Sequence, residues 1–274
     1  MPGVSDPVTI TLVPGFNLGP GSGPGNNTYL ISGMVPTLID AGVGRREHLD
    51  AVRAALAGAR LARVLVTHGH ADHASGATLL AAEWPEVEFV KMPWVGQDEQ
   101  FGVKWAGAAD RDLLTAGDGS LRVVHTPGHA PDHLCFLDED SWTLFCGDLV
   151  IAGGSVVIPA SNGGSLTAYL RSLDVIRALR PTRVLPAHGP EITDLPALVG
   201  RYVDHRLSRE AEVLEALKAG LVTLEPIVDR LYGDLSDPLR LMATDSVLAH
   251  LVKLRDEGRV REESQAWSPV VTLH

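Results

Sequence analysis

The sequence predicts an α/β fold that carries a smaller helical domain at its C-terminal end. Three observations lead there. Through the first two thirds of the 274 residues, short apolar runs bounded by Gly, Pro, Asn or Asp alternate with segments of helical spacing. Several of those runs end directly in a histidine or an aspartate set in a Gly- or Pro-containing turn. After Pro190 the runs give way to three helical stretches and a closing strand signal. Residues 1–195 are therefore expected to form one domain and residues 196–274 a second, smaller one.

The elements follow in order. Val8 to Val13 reads as a strand, leading into a Gly- and Pro-rich loop, Pro14 to Gly25. Thr28-Tyr29-Leu30-Ile31 and Thr37-Leu38-Ile39-Asp40, separated at Ser32-Gly33, read as paired strands. Leu49, Val52 and Leu56 recur at helical spacing and predict a helix over Glu47 to Arg60. Val64-Leu65-Val66 is a strand, and Asp72 to Trp84 a second helix, with Asp72 and His73 in its first turn, where the dipole favours a carboxylate. Between Trp84 and Gly119 the pattern loosens. Trp94, Phe101 and Trp105 occur there among Gly96, Gly102 and Gly107, either as an aromatic wall over a site or as anchors of a long insertion. Leu121 to Val124, Trp142 to Phe145 and Val184-Leu185 are further strands, and Asn162-Gly163-Gly164-Ser165 leads into a helix over Leu166 to Leu179.

In the tail, Leu195 to Gly220 is one long helical stretch with an apolar stripe through Leu207, Val213 and Leu214. Pro226 opens a second helix (Ile227 to Tyr232), and Ser246 to Glu257 forms a third before a Gly cap and a strand. Three helices and a strand pair are the grammar of a winged helix. Yet Arg201 to Glu263 holds ten Lys/Arg against thirteen Asp/Glu, where a duplex reader carries a basic excess. A packing or lid module is the expectation, and no duplex DNA partner.

The chemistry concentrates in Thr67-His68-Gly69-His70-Ala71-Asp72-His73, three imidazoles and a carboxylate directly after an apolar strand. Neutral imidazole and carboxylate suit zinc and its neighbours, and a catalytic site draws about three protein ligands. Four ligands this close cannot close on one ion without contorting the backbone, so two ions are the easier geometry. Thr126-Pro127-Gly128-His129, Cys146-Gly147-Asp148 and Pro186-Ala187-His188-Gly189 place three more candidates just past strand ends. Ligands delivered from strand ends converge on one edge of a sheet, held by a rigid scaffold. His125 and His133 flank the second of these turns and read as supporting or core residues.

In that order, HxHxDH, a TPGH histidine, a GD aspartate and a late AHG histidine, the first 190 or so residues resemble the metallo-β-lactamase fold superfamily. The resemblance implies a four-layer αββα sandwich with a small C-terminal winged-helix-like helical domain, the site lying at one edge of the two sheets. It implies that His68, His70 and His129 bind a first metal, that Asp72, His73 and His188 bind a second, and that Asp148 bridges both. Asp40-Ala41-Gly42 resembles the family's DxG turn, whose aspartate orients a site loop. Tyr202-Val203-Asp204-His205-Arg206-Leu207-Ser208-Arg209-Glu210 is similar to the YxxHRxxRE segment of the beta-lactamase-like protein two subgroup, within a glyoxalase II-like branch. Its members include single-stranded RNA endonucleases, fungal acyl-carrier thioesterases and bacterial hydrolases. Trp94, Trp105, His205 and Arg206 are candidate substrate contacts, although His205 with Arg209, and Arg206 with Glu210, are also spaced to pair on a helix surface.

The expected activity is a dinuclear zinc-dependent hydrolase with two Zn2+ per chain, iron or manganese being the alternatives. Two metals about 3.5–4 Å apart can share a hydroxide that attacks an ester, thioester or phosphodiester bond. Asp72 is the expected catalytic proton shuttle. An aspartate bridge resembles thioesterases, lactonases and nucleases, whereas true lactamases usually place Cys or Ser there. Single-stranded RNA cleavage, a mononuclear iron persulfide dioxygenase and a non-enzymatic nucleic-acid regulator are the competing readings. A net charge of −11 argues against broad affinity for phosphate backbones or anionic membranes. No run of about 18 apolar residues is present, so no membrane span is expected. Met1 to Thr11 lacks the n- and h-regions of a signal peptide. Cys135 and Cys146 fall on consecutive predicted strands and read as buried free thiols, which points to a reducing cytoplasm. The oligomeric state is left open, a homodimer included.

Overall fold

The computed structural model describes residues 9–18 and 25–270. The first residue of the expected first strand and half of the Gly-rich loop, residues 19–24, lie outside the described residues. Strands β1 (Ile10–Pro14), β2 (Asn27–Ile31) and β3 (Thr37–Ile39) open the fold. Helix α1 (Arg46–Leu56), strand β4 (Arg63–Leu65), helices α2 (Ala71–Ala74) and α3 (Ala77–Glu83), and strands β5 (Glu88–Lys91) and β6 (Trp105–Gly107) follow. The six strands form one sheet in chain order, antiparallel from β1 to β3 and parallel from β3 to β6. A second sheet takes β7 (Leu113–Ala116), β8 (Gly119–His125), β9 (Leu134–Asp138), β10 (Thr143–Gly147) and β11 (Arg183–Pro186) in the order β11-β10-β9-β8-β7. Helix α4 (Leu166–Leu179) makes the parallel crossover from β10 to β11.

Successive strand residues point to opposite faces, and that alternation builds the layers. Tyr29 and Ile31 of β2 meet Leu134 and Phe136 of β9 between the two sheets. Leu30 faces outward onto Leu49, Val52 and Leu56 of α1. Cys135 and Leu137 face the other way, onto Tyr169, Leu173 and Ile176 of α4. Both faces of both sheets are thereby covered, giving the αββα order that the resemblance implied. Both cysteines are buried and free, as read from the sequence.

The expected helix over Asp72 to Trp84 is broken in two. A Cβ at Gly76 would stand 1.9 Å from the Ala41 carbonyl oxygen, and the Gly76 amide donates to the Gly42 carbonyl at 2.8 Å. The turn after β3 occupies the space that a continuous helix would need.

The tail consists of α5 (Leu195–Lys218), α6 (Leu224–Tyr232), α7 (Asp237–Asp256) and the hairpin β12 (Val260–Glu263) with β13 (Ala266–Pro269). Two expectations are corrected here. Leu207 is 50% exposed, and the buried face of α5 runs instead through Leu198, Val199, Tyr202, Arg206, Glu210, Val213 and Leu217. Helix α7 begins at Asp237 rather than Ser246, with a proline in its first turn. Its first two turns expose Leu239 and Leu241, so no apolar periodicity announces them. The N-terminal half of α5 packs on the second sheet through Leu195, Leu198, Val199 and Tyr202. Its C-terminal half joins Ile227, Val247, Leu251 and Trp267 in a separate core through Val213, Ala216 and Leu217.

Candidate metal centre

Four strand ends deliver the site. The chain leaves β4 at Val66, whose amide still bonds to Val90 at 2.9 Å, and Thr67 then starts the histidine loop. Asp40, at the end of β3, adopts a left-handed φ of 64° that turns its carboxylate under that loop. Its Oδ1 accepts from the Thr67 amide at 2.7 Å, and its Oδ2 accepts from His73 Nδ1 at 2.9 Å. The DxG aspartate therefore orients the loop, as the resemblance implied, and aims His73 Nε2 at the carboxylates of Asp72 and Asp148. The same logic holds after β8. His129 Nδ1 donates to the Val157 carbonyl at 2.7 Å, which frees its Nε2. A histidine ligand commonly has its other nitrogen fixed in this way.

Two clusters result. His68, His70 and His129 form one; Asp72, His73, Asp148 and His188 form the other. In the first, His70 Nδ1 lies 2.9 Å from both His68 Nε2 and His129 Nε2. In the second, His188 Nε2 lies 3.4 Å from Asp72 Oδ2, and His73 Nε2 lies 3.6 Å from the same oxygen. Asp148 faces both clusters. Its Oδ2 is 3.6 Å from His129 Nε2 and 3.5 Å from His73 Nε2, and its Oδ1 is 3.4 Å from His188 Nε2. The glycine before it has a φ of 49°, and a Cβ there would approach His133 Nε2 to 2.8 Å. His133 is not among the clustered groups. Its Nε2 accepts from the Asp148 amide at 3.1 Å, and its Nδ1 donates to Thr126 Oγ1 at 2.9 Å. It fixes the backbone of the shared aspartate.

The electrostatics differ between the clusters. Burial and neighbouring imidazoles push His68 well below its usual value and His70 down to about 3, so the first cluster presents neutral nitrogens at neutral pH. In the second, burial opposes charge, but the carboxylates of Asp72, Asp148 and Asp40 outweigh it and hold His73 well above its usual value. His188 is likewise raised, to about 10, against its own burial by Asp148 and Asp72. Asp72 and Asp148 are lowered in turn, chiefly by His73, although their burial works the other way. Protons on two imidazoles thus offset part of the charge of three carboxylates, a task a divalent cation can take over. Asp148 Oδ1 and His188 Nδ1 are buried without a hydrogen-bond partner among the described residues. Neutral nitrogens converging in the first cluster, an excess of carboxylates in the second and orphaned polar atoms fit metal ions.

The comparisons agree. The family model described as the metallo-beta-lactamase superfamily matches residues 21–188, more than half of the chain. The chain belongs to the metallo-β-lactamase superfamily. A second model, the beta-lactamase associated winged helix domain, matches residues 223–267. The chain is 32% identical over 263 residues to a beta-lactamase-like protein 2 homolog of Caenorhabditis elegans, covering 94% of this chain and 87% of the relative. It is 31% identical over 256 residues to an atrochrysone carboxyl ACP thioesterase of Aspergillus chevalieri, covering 88% and 79%. A metallo-beta-lactamase family protein from Thermus thermophilus shares the fold at a TM-score of 0.80 and 21% identity, over 95% of this chain and 98% of the other. A protein solved in a di-iron-bound form matches at a TM-score of 0.55 and 28% identity, over 69% and 97%. A hydrolase of the metallo-β-lactamase superfamily fits all of these.

The candidate substrate contacts separate. Trp94 stands at the metal edge, its ring centroid 6.2 Å from that of His70. Trp105 packs edge-to-face on Phe89 and Phe101 and pins the insertion to the first core. Arg206 is buried, stacks over Tyr169 and donates to Ser155 Oγ and the Val156 carbonyl, so it braces the loop that holds His129. His205 lies on the rim of a cavity of about 300 Å³ lined also by Val157, Leu239 and Met242. The sequence reading missed Asn26. Its Nδ2 donates to the Asp72 carbonyl at 3.0 Å and to Asp72 Oδ2 at 3.1 Å, from a loop whose glycines hid it.

Proposed function

We propose that this chain is a dinuclear zinc hydrolase acting on an ester or thioester. In this reading His68, His70 and His129 hold a first ion, Asp72, His73 and His188 a second, and Asp148 bridges them. The observation that carries it is Asp148, whose two oxygens lie within 3.4–3.6 Å of nitrogens from both clusters. Bound ions of this kind lower the pKa of water towards about 7 and polarise the bond to be cleaved. The protein's own groups do the rest. Asp72 retains one third of its side-chain exposure while Asn26 fixes its Oδ2, so it can receive a proton and pass it to a leaving group. Trp94 offers an apolar wall beside His70.

A small acyl substrate is favoured over RNA by the net charge of −11 and by a relative named as a thioesterase. Residues 1–195 supply the chemistry and residues 196–274 the wing. Buried thiols, with Cys135 pushed up to about 12 by burial, suit a reducing compartment such as the cytoplasm. The test is elemental analysis of the purified protein, then turnover of thioesters, lactones, phosphodiesters and single-stranded RNA. About two zinc per chain with thioester cleavage is expected. Two iron ions would change the metal but keep the site, and a single iron would sink the dinuclear reading.

A further inference from the structure

Behind the first cluster lies a buried charge network that the proposed chemistry does not use. Lys91, at the end of β5, has a fully buried side chain. Its three ammonium protons meet three acceptors: the Met92 carbonyl at 2.6 Å, Asp98 Oδ1 at 2.6 Å and Asp132 Oδ2 at 2.9 Å. Each carboxylate has a second task. Asp132 Oδ2 accepts from the Gly69 amide at 2.8 Å, the amide between His68 and His70. Asp98 Oδ2 accepts from the Trp94 amide at 2.8 Å.

We infer that Lys91 and Asp132 are positioning residues for the metal centre, setting the gap between the two loops that carry its first three nitrogens. Asp132 sits three residues after His129, on the loop that presents that histidine, and grips the loop that presents His68 and His70. Lys91 anchors the joint to β5, the neighbour of β4 in the sheet. Stability alone is a poor reason for such a device, because an apolar cluster of similar volume often does as well as a buried ion pair. Through Asp98 the same ammonium also sets Trp94 over His70.

This rests on the metal reading above, and it is tested through metal affinity rather than turnover. Zn2+ affinity is measured by chelator competition, together with the melting temperature of the EDTA-treated protein. Asp132→Leu removes the Gly69 acceptor and is expected to weaken metal binding about 10–100-fold, the usual effect of losing an outer-shell partner. Asp132→Asn keeps an acceptor and recovers most of that loss. Asp98→Asn removes the other partner of the same lysine and leaves metal affinity unchanged. It instead raises the acrylamide quenching attributed to Trp94 by comparison with Trp94→Phe. Should Asp132→Leu fail to fold, Lys91→Met read against Asp98→Asn makes the same comparison. Wild-type affinity in Asp132→Leu, or equal losses in the Asp98 and Asp132 variants, overturns the inference and leaves an ordinary core ion pair. A wild-type chain that binds no divalent metal removes the parent reading and this one with it.

Discussion

Asp148 and Asp40 show what single carboxylates do in this site. The Asp148 carboxylate lies against nitrogens of both clusters, so Asp148→Ala is expected to lose most metal at one or both sites by elemental analysis. Full occupancy in that variant would end the bridging assignment. Asp40 never faces the clusters. It fixes the Thr67 amide and the His73 tautomer from behind, and Asp40→Asn is expected to weaken metal binding about 10–100-fold in chelator competition. Unchanged affinity would reduce Asp40 to a turn residue. The grouped histidines and aspartates were legible because each stands next to a strand end with a Gly or Pro turn, a local signal. Asn26 and the Lys91–Asp132 pair were not, since the contacts that matter there, Asn26 to Asp72, Lys91 to Asp132 and Asp132 to Gly69, join residues 41 to 63 positions apart.

At the scale of elements, legibility followed packing. Helix α4 and strands β8, β10 and β11 declare themselves through apolar periodicity and turn residues. The break between α2 and α3 does not, because it is imposed by a carbonyl from the β3 turn rather than by anything in the helix. Gly76→Ala tests this. The added methyl must displace the Ala41 carbonyl, one residue from Asp40, at a cost of roughly 1–3 kcal/mol. A clear fall in melting temperature is expected, together with weaker metal binding. An unchanged melt would mean that the turn yields freely. The early start of α7 escaped for the opposite reason: with Leu239 and Leu241 exposed, its first turns bury no regular stripe.

For the molecule as a whole, two buried histidines outside both clusters link stability to pH. Burial lowers His48 to about 4. Burial, then Arg206, Arg209 and Lys253, lower His250 to about 3. Both bind protons more weakly folded than unfolded, so their contribution is complete above about pH 6.5 and is lost as pH falls towards 4 and then 3. Each tenfold difference in proton affinity is worth about 1.4 kcal/mol. A His48→Gln/His250→Gln variant, compared with the parent in EDTA, should therefore lose melting temperature less steeply between pH 6.5 and 4. Parallel slopes would refute the linkage.

Helix α5 bears on how the chain can be divided. Its 24 residues span about 36 Å, with core side chains of the sandwich at one end and of the wing at the other. Domains are ordinarily joined by an exposed strap that proteases find first. Here the joint is itself a beam built into both walls. Limited digestion should spare residues 195–218 until the molecule unfolds, and any fragment ending within them should carry bare apolar surface and precipitate.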